Sequence, residues 1–195
     1  MILSFTGPQS SGKTTLLKKC KEYYGSKLCY IDEVTRLIKR WHNCDINEEG
    51  ASDVTQTLIL NKEFENLFYN YKGFGFQGIL HDRCLMDGMV YTSYFAGSRL
   101  NDFPVSNSLG LLYYTNYIKK YDHIFYPSPH DVPLVDDGER SINKEFRDAI
   151  IDKYENFWLK DERLKDKVTI LRGTVDERME QIKSKICQLM PSLSV

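Results

Sequence analysis

An excess of charge of either sign is missing: 26 lysines and arginines stand against 27 aspartates and glutamates in 195 residues. That balance excludes the basic footprint of a protein gripping a long stretch of nucleic acid, although a local basic cleft remains compatible with it. Cysteine pairing is missing too. Cys20, Cys29, Cys44, Cys84 and Cys187 are odd in number and scattered, with no C-x-x-C pair, which argues against a disulfide framework and a structural zinc site. No apolar run of the roughly 18 residues needed to span a bilayer occurs. Met1-Ile2-Leu3-Ser4-Phe5 has no basic lead-in of the kind that opens a secretory signal. A reducing cytoplasm is therefore the default. His42, His81, His123 and His130 lack metal-ligand spacing, and Trp41-His42-Asn43-Cys44-Asp45 reads as a loop. Repeats, low-complexity tracts and linkers are absent, so one domain over 1–195 is expected.

What is present is an alternation of short β-rich runs with helical patterns, the signature of a parallel sheet covered by helices. Strands are expected at Ile2–Thr6, Lys27–Ile31, Phe76–His81, His123–Tyr126 and Val168–Leu171. Leu60, Phe64, Leu67, Phe68 and Tyr71 fall on one helical face, in a helix that Gly73 should stop. Asn101–Ser108, with Pro104, reads as a loop. Pro127, Pro129 and Pro133 mark an irregular excursion into the polar run Asp136-Asp137-Gly138-Glu139-Arg140, which makes a lid over about 128–147.

Gly7-Pro8-Gln9-Ser10-Ser11-Gly12-Lys13-Thr14 fits G-x-x-x-x-G-K-[ST] at every fixed position, between a β-rich strand and an amphipathic helix. Gly7 and Gly12 permit backbone shapes closed to other residues and a close approach to phosphate oxygens. The amides of Gln9, Ser10, Ser11, Gly12, Lys13, Thr14 and Thr15, with the helix N-terminus, form a positive cup. Lys13 brings charge to the β- and γ-phosphates of ATP, and the Thr14 hydroxyl can ligate Mg²⁺. The N-K-x-D element of guanine recognition is missing. Asn61-Lys62 runs on into Glu63-Phe64, where the pattern gives a solvated helix face.

Functional groups of an open α/β sheet gather at the carboxyl ends of its strands. Strand two ends Ile31-Asp32-Glu33 with Arg36 a turn later. A carboxylate there can take the proton of an attacking hydroxyl, or simply cap the following helix. Strand three ends His81-Asp82-Arg83. Asp82 has the place of a Walker-B-type carboxylate for Mg²⁺, and Arg83 can hold a phosphate or order the acceptor carboxylate. Asp87 is expected on a helix surface. Arg140 is the candidate for the lid arginine that closes on the transferring group, with Arg147 further along. Tyr91, Tyr94 and Phe95 suit core packing better than stacking on a base.

Taken together, Gly7–Thr15, Glu33-Val34-Thr35-Arg36 and Leu134–Ser141 resemble the nicotinamide-riboside kinase domain of the bacterial NAD-biosynthesis regulator and the P-loop kinases around it. The last stretch is close to that family's V-D-D-G-x-R-S lid. The resemblance covers nearly the whole chain. It implies a P-loop three-layer sandwich with five parallel strands in order 2-3-1-4-5, a lid carrying Arg140, and an acceptor site near Glu33, Arg36 and Asp82. Asp82-Arg83-Cys84 departs from it toward the D-R-S element of deoxynucleoside and thymidylate kinases, with cysteine for serine.

The leading expectation is Mg-ATP-dependent phosphorylation of a nucleoside-like acceptor hydroxyl, such as that of nicotinamide riboside. Lys13 and Arg140 would stabilise charge, Thr14 and Asp82 would hold Mg²⁺, and Glu33 or Asp82 would serve as base. A nucleoside monophosphate, held by Arg36 and Arg83, is an alternative acceptor. A hydroxymethylated base within DNA is another, and a nucleotide-dependent binding module is the non-enzymatic alternative.

Overall fold

The computed structural model describes residues 1–42, 50–97, 100–133 and 143–193. Strands β1 (Ile2–Phe5), β2 (Leu28–Ile31), β3 (Gly78–Asp82), β4 (His123–Pro127) and β5 (Val168–Leu171) pair in parallel in the order β2-β3-β1-β4-β5. This is the order that the family resemblance implies. β1 pairs with β3 on one side and β4 on the other, with Phe5 level with both Asp82 and Phe125. The chain leaving β1 therefore emerges at the switch point of the sheet, where open α/β folds bind ligands.

Seven helices lie among the described residues: α1 (Lys13–Tyr24), α2 (Val34–His42), α3 (Asp53–Leu67), α4 (Leu85–Ala96), α5 (Pro104–Tyr117), α6 (Lys144–Asn156) and α7 (Val175–Leu189). Leu16, Leu17 and Cys20 of α1 pack with Ile182 and Ile186 of α7 against Leu3, Phe5 and Leu80 of the sheet. A second apolar cluster joins Met86, Met89 and Val90 of α4, Tyr114 of α5, and Ile150 and Tyr154 of α6 to Ile124 and Tyr126. Each aliphatic side chain fully buried in such a layer contributes about 1.5–3 kcal/mol.

Two elements differ from the sequence pattern. α3 ends at Leu67, not at Gly73: Phe68 lies half exposed, and the Asn70 side chain accepts the Gly73 N–H at 3.2 Å in a short 3₁₀ turn over Tyr71–Phe74. A local side-chain bond there outcompetes the aromatic periodicity. Pro104 begins α5 where a loop is expected, because the first helical position has no N–H to lose.

Candidate active site

The residues from Gly7 to Thr14 form the loop between β1 and α1. Gly7 (φ 135°), Ser10 (φ 55°) and Gly12 (φ 92°) all lie at positive φ, which folds the chain into a tight cup. A side chain on Gly7 would also crowd the Tyr126 ring at 3.3 Å, so only glycine fits. Lys13 is almost fully buried, and its Nζ donates to the carbonyls of Gly7 and Pro8 at 2.7 Å each. The amine is thus curled over the loop it serves. Gln9 accepts from the Tyr91 hydroxyl at 3.1 Å, while its buried Nε2 has no protein partner. Thr15 is exposed in the first turn of α1.

The Thr14 hydroxyl donates to Asp82 Oδ2 at 2.9 Å, tying the start of α1 to the end of β3. Asp82 is 3% exposed, and its other oxygen is buried without a hydrogen-bond partner. Burial, then the Glu33 charge, raise the Asp82 pKa, against the pull of Lys13 and Arg83. A hydroxyl and a carboxylate with an unsatisfied oxygen, beside a phosphate cup, suit Mg²⁺, which takes few protein ligands and completes its shell with phosphate and water. No group of three or more His, Cys, Asp or Glu suited to a metal occurs among the described residues.

Glu33 and Asp32, adjacent in sequence, part company. Asp32 is exposed and pairs with Lys21 at 2.7 Å on the surface. Glu33, its side chain 8% exposed, receives Arg36 Nε at 3.2 Å and Arg83 Nε at 2.8 Å. Of the alternatives left open for strand two, the structure brings Glu33 to Asp82 and Arg83. Arg83 sits at φ 85°, a costly conformation for any residue that carries a Cβ. Burial works against its charge, yet Glu33, Tyr91 and Asp87 hold its pKa well above the ordinary arginine value. The guanidinium also lies 5.2 Å from the centre of the Tyr91 ring, an arrangement favourable to a cation.

Asp87 corrects the expectation of a surface residue. It is 1% exposed. Its carboxylate accepts from Thr6 Oγ1 at 2.7 Å, Tyr154 Oη at 2.8 Å, Arg83 Nη1 at 3.0 Å and the Cys84 amide at 3.0 Å. Cys84 and Asp87 are the first and fourth residues of a capping box, with cysteine where serine is usual. C-x-x-D at a strand-to-helix junction was the signal available in the sequence.

Glu63 corrects the expectation of a solvated helix face. It is 4% exposed, and both carboxylate oxygens are buried without a hydrogen-bond partner. Arg147 is buried as well, donating to the carbonyls of Pro129 and Val132 at 2.9 and 2.8 Å rather than lying in a flexible polar run. Arg178, which no motif or spacing singles out, is 2% exposed and donates to the Ser11 carbonyl of the phosphate loop at 3.0 Å. Tyr94 and Phe95 pack on Phe146, as core packing requires, whereas Tyr91 faces the phosphate loop. Arg140 and the rest of 134–142 lie outside the described residues, so the expected lid arginine has no place in this geometry.

An AAA domain profile matches residues 3–178. The chain belongs to the AAA domain family. Solved structures similar to this AAA domain include deoxyadenosine kinase from M. mycoides with bound dCMP and dCDP, at 15% identity and TM-score 0.68, covering 97% of this chain and all of that one. A NadR protein in complex with NAD and AMP-PNP is similar at 16% identity and TM-score 0.67, covering 95% of this chain but 48% of that one. Thymidylate kinase from Candida albicans is similar at 13% identity and TM-score 0.65, covering 99% and 93%. No curated protein sequence matches. The fold is thus that of P-loop nucleoside and nucleotide kinases. Among the described residues, no helix is long and apolar enough to cross a membrane.

Proposed function

We propose that this AAA domain transfers the γ-phosphoryl group of ATP to a hydroxyl of a nucleoside-like acceptor, nicotinamide riboside being one such compound. The observation that carries the reading is the meeting of Thr14, Asp82, Arg83 and Glu33 at the carboxyl ends of β1, β2 and β3, within 2.8–2.9 Å contacts. Lys13 exchanges its loop carbonyls for phosphate oxygens. Thr14 and Asp82 would hold Mg²⁺, which would supply charge to offset that developing on the phosphates. Glu33 or Asp82, both beside the cup, accepts the proton of the attacking hydroxyl.

The pairing of the arginines favours a neutral acceptor over a phosphorylated one. Arg83 is bonded to both Glu33 and Asp87, and Arg36 to Glu33. A nucleoside monophosphate would have to break the buried pairs of Arg83 to engage that guanidinium, which is costly. The similarity in fold to deoxyadenosine kinase and to a NadR protein in complex with NR supports a nucleoside-type acceptor. Arg140 is retained as the candidate arginine for the transferring group.

The decisive experiment incubates the protein with γ-labelled ATP and Mg²⁺ against a panel of nucleosides, nucleoside monophosphates and hydroxymethylated DNA, with products identified by mass. A labelled nucleoside monophosphate supports the reading. A diphosphate or labelled DNA moves the acceptor to one of the alternatives, and ATP hydrolysis with no labelled acceptor overturns it.

A further inference from the structure

The loops at the donor end of the sheet are joined by a single guanidinium. Arg178 lies in the first turn of α7, and its side chain is 2% exposed. Its Nε donates to the Gly173 carbonyl at 2.9 Å, its Nη1 to the Ser11 carbonyl at 3.0 Å and its Nη2 to the Ser128 carbonyl at 3.0 Å. Nη2 also reaches Asp131 Oδ2 at 3.3 Å, and that oxygen accepts the Gly173 N–H at 2.9 Å. Ser11 belongs to the loop after β1, Ser128 to the loop after β4 and Gly173 to the loop after β5. Three separate segments therefore share one cation.

The contact with Ser11 has a directional consequence. In a planar trans peptide the carbonyl and the following N–H point to opposite sides. With the Ser11 carbonyl held on Arg178, the Gly12 N–H faces the other way, out of the buried side of the loop. A Cβ on Gly12 would lie 3.7 Å from Arg178 Nη1, so the guanidinium supports this very peptide. Gly12 has φ 92°, a conformation in which glycine is intrinsically free, and an unsupported glycine here would sample many others. A rigid planar fork presents donors on three different nitrogens in fixed directions to carbonyls from three segments, whereas a lysine gathers its donors on one nitrogen at the end of a flexible stem.

We infer that Arg178 is a positioning residue for the donor triphosphate: it presets the phosphate-binding amides at Ser11–Gly12 and locks that loop to the segments after β4 and β5. It acts through the peptide and does not touch the nucleotide. The inference rests on the donor reading of the phosphate loop given above.

The test titrates fluorescent ATP with Mg²⁺ into the wild type, Arg178→Lys, Arg178→Met and Lys13→Ala, with tripolyphosphate as a competitor and thermal melts alongside. Removing charge-assisted bonds that order the loop weakens Mg-ATP binding by about tenfold or more. Arg178→Lys fails to restore affinity, tripolyphosphate weakens in proportion, and ATP and GTP lose the same factor. In ¹⁵N-glycine-labelled protein without nucleotide, the Gly12 amide resonance shifts in Arg178→Lys. A folded Arg178→Lys or Arg178→Met protein with wild-type Mg-ATP affinity overturns the inference and leaves the donor reading intact. Failure of both variants to fold overturns it too, because the residue is then a folding determinant. Wild-type protein that binds no Mg-ATP overturns the donor reading itself, and this inference with it.

Discussion

Tyr154 donates its hydroxyl hydrogen to Asp87 Oδ1 at 2.8 Å, joining α6 to the start of α4 inside the protein. The same carboxylate receives Thr6 from the end of β1 and Arg83 from the end of β3. One buried charge thus links the entry to the phosphate loop, the acceptor-side arginine and the helix that follows residues 134–142. It balances Arg83, whose other carboxylate partner is Glu33.

Unequal costs follow for the two partners. Asp87→Asn leaves a buried arginine short of a counter-charge, a loss of about 3–5 kcal/mol for a broken buried pair. Tyr154→Phe removes one hydrogen bond and keeps the ring in the core, a loss of about 1–2 kcal/mol. Urea unfolding at neutral pH measures both. Equal losses would show that Asp87 acts only as a hydrogen-bond acceptor.

Thr14 and Asp82 make a separable prediction about chemistry. Asp82→Asn preserves the shape of the site but removes the charge that would face Mg²⁺. Phosphoryl transfer should fall by about 10²–10³-fold, the scale of losing one preorganised electrostatic group, and half-maximal activity should need more MgCl₂. Thr14→Ala should shift the Mg²⁺ requirement in the same direction with a smaller loss. Lys13→Ala should abolish transfer with little change in melting temperature. A Lys13→Ala protein that keeps its activity rules out the mechanism.

Much of this site was legible in the sequence because its signals are local. The phosphate loop is contiguous, β5 coincides with the expected Val168–Leu171, and the Thr174/Glu177 capping box starts α7 where the apolar stripe begins. Glu33, Asp82 and Arg83 follow from the rule that chemistry gathers at strand ends. Glu63 and Arg178 were not legible, and Asp87 was legible only as a capping residue and not as a buried one, since each is charged and lies on a helix whose pattern equally suits solvent. Their burial depends on which distant element covers that face: Tyr154 of α6 over Asp87, Gly88 of α4 over Glu63, and the loops holding Ser11, Ser128 and Gly173 around Arg178. Such coverage is a tertiary property with no local pattern.

His81 sets an acid limit on stability. It lies on β3, 3% exposed, edge-on to the Tyr121 ring, and burial pushes its pKa down from 6.5 to about 4. The unfolded chain therefore takes up a proton that the folded protein refuses. Stability falls as pH drops from 6.5 towards 4, by about 1.4 kcal/mol per pKa unit of difference, so about 3 kcal/mol in all. His123, buried on β4 and also pushed down to about 4, acts in the same window. Urea midpoints between pH 7 and 4 should show this limb, and His81→Phe should make it shallower, leaving the part that His123 contributes. An unchanged slope in that variant would place the acid sensitivity elsewhere.

Glu63 predicts the opposite dependence on pH. Its carboxyl packs against α4 so closely that a Cβ on Gly88 would lie 2.8 Å from Glu63 Oε2. No donor of good geometry reaches either oxygen, and the Gly88 amide offsets only a little of the cost. Burial, then the charge of Asp87, raise its pKa well above 4.5, with Arg83 pulling against them and Glu33 adding to the rise. Here the folded protein holds a proton that the unfolded chain releases. The penalty is absent below the unfolded value of 4.5 and grows as pH rises towards the folded one. Glu63→Gln has no such titration, so its advantage over the wild type should widen as pH rises from 5 to 8. Glu63→Met, which also removes the unsatisfied polar atoms, should gain about 1–3 kcal/mol at neutral pH. Parallel pH curves for wild type and Glu63→Gln would show that Glu63 is already ionised and solvated in the folded protein. Because Glu63 lies within the field of Arg83 and Asp87, the same variants should alter acceptor KM more than they alter Mg-ATP affinity. A gain in stability coupled to a poorer acceptor KM would mark this costly carboxyl as retained for the acceptor site.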